Sequence, residues 1–212
     1  MKSTFQHLSL KLLLASICVA SLSACFPVVL GGAMMGGLVA VDRRTAGTQL
    51  EDEGIEVRAN TRVRDTLTDR GHVNITSYNR QVLLTGEVPT EQTKQLVEQV
   101  VSQVANVRVI VNELAVMGNT TLSQRTSDTL TTGRVKAAMV DEKDLYASAF
   151  KVVTERGTTY LMGRVTQREA ELATEVVRGT SGVQKVVRVM EIITDVELQN
   201  LLPKPAANEV KP

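Results

Sequence analysis

The chain has 212 residues, 22% of them charged, and a formal net charge of +1 at pH 7. So even a balance argues against general nucleic-acid binding, and with no tryptophan and 3% aromatic residues there is no stacking platform for bases. The length admits one large domain or two small ones.

The N-terminus reads MKSTFQHLSLK, with Lys2 and Lys11, followed by an apolar run of 13 residues from Leu12 to Ala24. A membrane-crossing helix needs about 20 apolar residues, so a basic start, a short apolar middle and a small-residue end describe an export signal. Its last four positions, Leu22-Ser23-Ala24-Cys25, resemble the lipobox of bacterial lipoproteins. That resemblance implies cleavage before Cys25, which then carries the lipid; an ordinary signal would leave Cys25 a free thiol instead. Cys18 lies inside the signal, so acylation of Cys25 leaves no thiol for a disulfide. Acyl chains hold a protein at a bilayer with about 0.8 kcal/mol per buried methylene. Phe26 stands where an aspartate would retain such a protein in the inner membrane, and the resemblance therefore implies the periplasmic face of the outer membrane. Loss of residues 1–24 removes two lysines and changes the formal charge from +1 to −1.

Residues 25–45 read as the lipidated cysteine and a glycine-rich, membrane-proximal tether. Gly32 and Gly36 form a GxxxG spacing, in a run too short for it to carry weight. Asp42-Arg43-Arg44 closes the tether with charge.

The remainder repeats itself. Aligning Gly86 in LLTGEVPTE with Gly163 in YLMGRVTQRE gives an offset of 77. Before each glycine lie two β-rich runs, VNITSYN and QVLLTGEV, then AFKVVTE and TTYLMGRV; Asn79-Arg80 and Arg156-Gly157 supply hairpin turns. Helical patterns follow, with Thr90 and Thr166 at plausible N-caps. Each copy ends in a β-branched strand, VRVIVNEL or VQKVVRVMEI. A further helix precedes each hairpin: one around Leu50–Leu67 starting near Asp52, the other around Ser127–Asp141 with Ser127 or Asp128 as cap. One copy alone has little core, so the two are expected to be close neighbours.

The order α-β-β-α-β, the strand-end Leu-X-Gly-X-Val, the terminal Gly182-Val183-X-X-Val186 and the lipobox together resemble the dual BON-domain outer-membrane lipoproteins. The implied fold is α+β: two tandem αββαβ modules, each a small three-stranded sheet with two helices on one face. The modules span 46–116 and 120–195, and 196–212 is expected to be a disordered tail. The first copy departs from the pattern at Ala105-Asn106-Val107, where the offset becomes 76. The resemblance also implies binding of anionic phospholipid of the phosphatidylglycerol kind through the first helix of the second module. There Leu130 replaces an exposed tryptophan and Thr131 an aliphatic residue, which lowers the apolar area available.

A helix turns 100° per residue, which places Thr131, Val135, Ala138 and Met139 on a core stripe and Leu130, Gly133, Ala137 and Val140 on a second one. Arg134 sits amid the second stripe with Lys136 beside it, a combination suited to the boundary of an anionic bilayer. Residues 46–118 carry 7 basic and 10 acidic groups and residues 119–196 carry 11 and 10, which also favours the second module. The candidate lipid-binding residues are Ser127, Asp128, Leu130, Thr131, Gly133, Arg134, Val135, Ala137 and Val140. Leu130 packing against the first module is the alternative.

Signs of catalysis are few. Beyond His7 in the signal, His72 is the remaining histidine, expected as a surface strand residue. There is no cysteine–histidine ligand cluster and no H-E-x-x-H, so neither a zinc site nor another cofactor is expected. Gly86 and Gly163 are read as turn requirements, and no serine has a His–Asp setting. A non-catalytic envelope lipoprotein that binds phospholipid and supports outer-membrane integrity is the leading expectation. Its rivals are an adaptor for the outer-membrane protein assembly machinery and a periplasmic chaperone-like module.

Overall fold

The structure, a computed structural model, describes residues 42–68 and 71–201. The expected export signal, Cys25 and most of the tether lie outside the described residues, as does the end of the tail. The first helix, α1 (Ala46–Leu67), starts earlier than the sequence pattern suggests, because Thr45 caps it by accepting from the Thr48 N–H. Its inward stripe is Asp52, Ile55, Ala59, Val63 and Leu67, the i, i+3/i+4 spacing of one helix face.

Strands β1 (His72–Tyr78) and β2 (Gln81–Val88) form an antiparallel hairpin with Tyr78 opposite Gln81. Asn79 and Arg80 both have positive φ, 51° and 64°, as a two-residue type I′ turn demands. Helix α2 (Glu91–Ser102) is capped by Thr90, as expected. The third strand then comes in two pieces, β3 (Val109–Asn112) and β4 (Ala115–Val116), each parallel to β2. Between them Leu114 drops into the core. The departure at Ala105-Asn106-Val107 has a physical reading: Asn106 adopts φ 69° where the second copy has Gly182 at 97°. Asparagine is the residue after glycine that best tolerates that region.

The second copy repeats the plan. Helix α3 (Leu122–Asp141) is capped by Thr121, so Ser127 and Asp128 lie inside it rather than at its cap. A turn of 3₁₀ helix (Ala147–Ala149) leads into β5 (Phe150–Glu155) and β6 (Thr158–Val165), joined by Arg156 and Gly157 at positive φ. Helix α4 (Gln167–Arg178) carries a full capping box between Thr166 and Glu169, and β7 (Lys185–Ile192) pairs parallel with β6. Helix α5 (Asp195–Leu201) occupies the start of what the sequence suggests is a tail.

Gly86 and Gly163 lie within strands, not turns. A Cβ on Gly86 would sit 2.0 Å from the His72 carbonyl oxygen, and one on Gly163 2.6 Å from that of Ala149. The partner strand passes too closely for any side chain, which is why Leu-X-Gly-X-Val recurs.

Strand alternation then assembles the modules. Ile75, Val82, Leu84 and Val88 turn toward α1 and α2, while Phe150, Val152, Leu161 and Val165 turn toward α3 and α4. The other sheet faces meet through Tyr78, Leu83, Tyr160, Met162 and Val189. The result is four layers, helices–sheet–sheet–helices, with a third apolar core between the modules. Polar ties edge that core: Tyr78 donates to the Ala149 carbonyl at 3.2 Å, Lys151 to Glu56 at 2.7 Å, and Asn79 to Glu191 at 2.6 Å.

The charged end of the tether is docked. Arg43 is only 4% exposed and forks onto Glu169 of the second module. Arg44 pairs with Asp52 of the first module and lies 4.2 Å over the Tyr78 ring.

Candidate functional site

Helix α3 buries Asp128, Thr131, Val135 and Met139 and exposes the stripe that holds Leu130 and Val140, 57% and 70% exposed. Ser127, Gly133, Arg134, Lys136 and Ala137 are also exposed. Leu130 is not part of the apolar core between the modules, which the sheet faces make. Arg134 and Lys136 enter no ion pair among the described residues, which leaves both charges available to an anion. A Cβ on Gly133 would meet nothing within 4 Å, so no packing requires glycine there, although it costs about 1 kcal/mol against alanine in a helix.

Three of the nine residues expected at a lipid surface face the other way. Thr131 and Val135 belong to the inward stripe, and Thr131 returns its hydroxyl to the Ser127 carbonyl at 3.0 Å. Asp128, 4% exposed, accepts from the Arg156 and Gly157 N–H groups at 2.8 and 2.9 Å. Its carboxylate holds the β5–β6 turn to the helix. Asp52 does the same in the first module, accepting from the Asn79 and Arg80 N–H groups and the Ser77 hydroxyl, each at 2.7 Å. Burial pushes the Asp52 carboxyl up, but the Arg80 N–H, the Ser77 hydroxyl, Arg44 and the Asn79 N–H outweigh it and hold the group below the usual carboxylate range. The sequence signal for this tie was an aspartate at matching positions in both copies. What hid it was that its donors are backbone groups of a distant turn.

The acids at the start of α1 are largely engaged. Glu51 accepts from Arg58 at 2.7 Å, Glu56 pairs with Lys151, and Asp52 is inside. Glu53 stays exposed, as do the apolar Leu50 and Val57.

Beside α3 runs an open groove of about 550 Å³, bounded by Arg125, Gly133 and Lys136 on the helix, Glu155 on β5, and His72 and Asn74 on β1. His72, expected on the surface, is half-buried, its side chain 23% exposed. Among the described residues no helix is long and apolar enough to cross a membrane.

The BON domain pattern matches this chain twice, over residues 51–118 and 127–194, the two αββαβ modules described above. The chain belongs to the dual BON-domain lipoprotein family. Over 174 residues it is 34% identical to "Outer membrane lipoprotein DolP" of Haemophilus influenzae, covering 81% of this chain and 90% of that one. It is 31% identical over 155 residues to "21 kDa hemolysin" of Actinobacillus pleuropneumoniae, covering 72% and 80%. A solved structure of CdsD, a structural protein of the Chlamydia trachomatis type III secretion system, aligns with 67% of this chain and 96% of its own. The TM-score is 0.29 and the identity 10%. In BON terms, Asp52 and Asp128 tie helix to hairpin, and the modules differ in what their first helices expose.

Proposed function

We propose that this BON lipoprotein is anchored through Cys25 in the outer membrane, faces the periplasm, and binds anionic phospholipid through the exposed stripe of α3. It acts without catalysis, in support of outer-membrane integrity. The observation that supports this most is the joint exposure of Leu130 and Val140 around Arg134 and Lys136, which have no ion-pair partner among the described residues. The contact reduces to Ser127, Leu130, Gly133, Arg134, Ala137 and Val140; Asp128, Thr131 and Val135 support the helix from behind. Full burial of a leucine or valine side chain is worth about 1.5–3 kcal/mol, and each basic residue near an anionic surface adds about 1 kcal/mol. That is a weak contact in free solution, yet sufficient once an anchor raises the local concentration.

The test is co-sedimentation of a form lacking residues 1–25 with phosphatidylglycerol or phosphatidylcholine vesicles. Binding to the anionic vesicles should fall at least about tenfold in the pair Leu130→Glu and Val140→Glu. Unchanged binding, with the circular dichroism spectrum intact, removes α3 as the lipid contact. Photocrosslinking from position 130 in cells separates the adaptor reading: a single dominant protein adduct there favours docking on the assembly machinery.

A further inference from the structure

Where the edges of β1 and β5 pass each other, one side chain from the end of β2 joins them. His72, Glu87 and Glu155 each bring a ligating atom into one cluster, all within 4.8 Å of one another. Glu87 is wholly buried and Glu155 nearly so, and they come from different modules. The His72 Nδ1 is buried without a hydrogen-bond partner among the described residues and lies 3.4 Å from Glu87 Oε2.

We infer that His72, Glu87 and Glu155 form a divalent-metal site of the zinc class that fastens the first module to the second. Three observations carry this. The first is charge: Arg156 pairs with Glu87 Oε1 at 2.7 Å, whereas among the described residues Glu155 receives only the neutral Asn74 amide, at 2.7 Å on Oε2. Two carboxylates thus share one guanidinium in a buried seam, where an uncompensated charge is costly.

The second is orientation. Glu87 Oε2 also accepts from the Thr120 N–H and hydroxyl, at 3.2 and 3.1 Å. With Asn74 on Glu155, both carboxylates are held by outer partners of the kind that aim metal ligands. Arg156 holds Glu87 Oε1, and Oε2, steadied by the two Thr120 donors, lies 3.4 Å from His72 Nδ1.

The third is reach and access. Because the three ligating atoms all lie within 4.8 Å of one another, an ion placed among them is at most about 2.8 Å from each. Zinc bonds of about 2.0–2.2 Å therefore need each ligand to move in by at most roughly 0.7 Å, a side-chain adjustment, and His72 Nδ1 and Glu87 Oε2 are already 3.4 Å apart. His72 and Glu155 both line the groove beside α3, which gives an ion a route in and leaves room for a fourth, water ligand. One imidazole with two carboxylates is a donor set for zinc; calcium takes six to eight oxygens. The cluster was invisible to motif spacing because its members lie far apart in the chain, on two modules.

The site is tested on the full-length lipoprotein in detergent, stripped with chelator and titrated with zinc sulfate by calorimetry, with magnesium sulfate as comparator. The expected result is one saturable zinc site per chain, a zinc-dependent rise in unfolding temperature, and no such response to magnesium. Glu155→Gln and His72→Ala should each weaken zinc binding at least about tenfold, and Asn74→Ala about 10–100-fold with all ligands kept. Absence of a one-to-one zinc site in the unmodified protein overturns the inference, whatever the variants do. So does unchanged affinity in Glu155→Gln, which would mean that the second module supplies no ligand. Stabilisation that follows pH alone, with no zinc response, would assign the missing charge to a proton and equally overturn it.

Discussion

Replacing Arg43 with methionine keeps the length of the side chain and removes the fork that docks the chain ahead of α1 onto the second module. Arg43 donates to Glu169 Oε2 at 2.8 Å, Glu169 Oε1 at 2.5 Å and the Arg164 carbonyl at 2.9 Å. Breaking one side of a buried pair costs about 3–5 kcal/mol, mainly because the other charge is left behind. Here Glu169 keeps the Thr166 N–H at 2.9 Å and the Thr166 hydroxyl at 3.1 Å, so roughly 2–3 kcal/mol is the reasoned loss. Urea denaturation should show it as a lower midpoint at constant slope. The double variant with Glu169→Gln isolates the pair, with an expected coupling of about 2 kcal/mol. A coupling below about 0.5 kcal/mol would mean that the Arg43–Glu169 fork does not hold this segment to the second module.

The same pair has a signature in pH. Burial pushes the Glu169 carboxyl up, but Arg43 and the Thr166 N–H outweigh this and hold it below the usual carboxylate range. A depressed carboxyl contributes fully above its ordinary value near pH 4.5 and loses that contribution as pH falls through the native value. Stability of the unmodified protein should therefore decline below about pH 5 more steeply than that of Arg43→Met.

Glycine substitutions should separate by their surroundings. Gly86→Ala combines a φ of +110° with a 2.0 Å clash against backbone and should cost more than about 3 kcal/mol or prevent folding, whereas Gly163→Ala, at 2.6 Å without positive φ, should cost less in the same denaturation assay. Gly133→Ala has open space and should stabilise by about 1 kcal/mol. Asp128→Ala leaves the Arg156 and Gly157 N–H groups without their acceptor and should cost about 2–3 kcal/mol. At temperatures where that variant stays folded, its vesicle binding should match the unmodified protein, unlike that of Leu130→Glu. A loss of binding without a loss of stability would put Asp128 back in the contact.

What the sequence disclosed is what local chemistry encodes. Asn79-Arg80 and Arg156-Gly157 announced tight turns, Thr90 and Thr166 announced helix starts, and the 77-residue offset exposed the repeat. The starts of α1 and α3 were missed because Thr45 and Thr121 open onto polar turns with no apolar period to mark them. The third strand of the first module reads as continuous, since nothing in VRVIVNEL says that Leu114 will leave the ladder. Asp52 and Asp128 look like ordinary charges on a helix until the hairpin folds back beneath them. The exposed stripe of α3 was legible from helical period alone, but its neighbour groove was not. That groove takes His72 and Asn74 from one module and Glu155 from the other, and only the face-to-face sheets bring them together.

The four-layer order sets a geometric limit on how such a lipoprotein can work. Leu83, Tyr78, Tyr160 and Met162 join the sheets by their inner faces, so the helices of the two modules form opposite outer layers. A bilayer is flat on this scale, and only one of those layers can lie against it. With α3 on lipid, the layer containing α1 is turned toward the periplasm and presents Leu50, Val57 and the free Glu53. Lipid binding and partner binding then need not compete, because they use different faces of one rigid stack. The seam between the sheets becomes the element that couples them: whatever fixes the modules at the His72–Glu87–Glu155 edge also fixes the angle between the lipid face and the free one. Loosening that seam should leave vesicle binding by α3 intact while disturbing any activity that requires both faces at once.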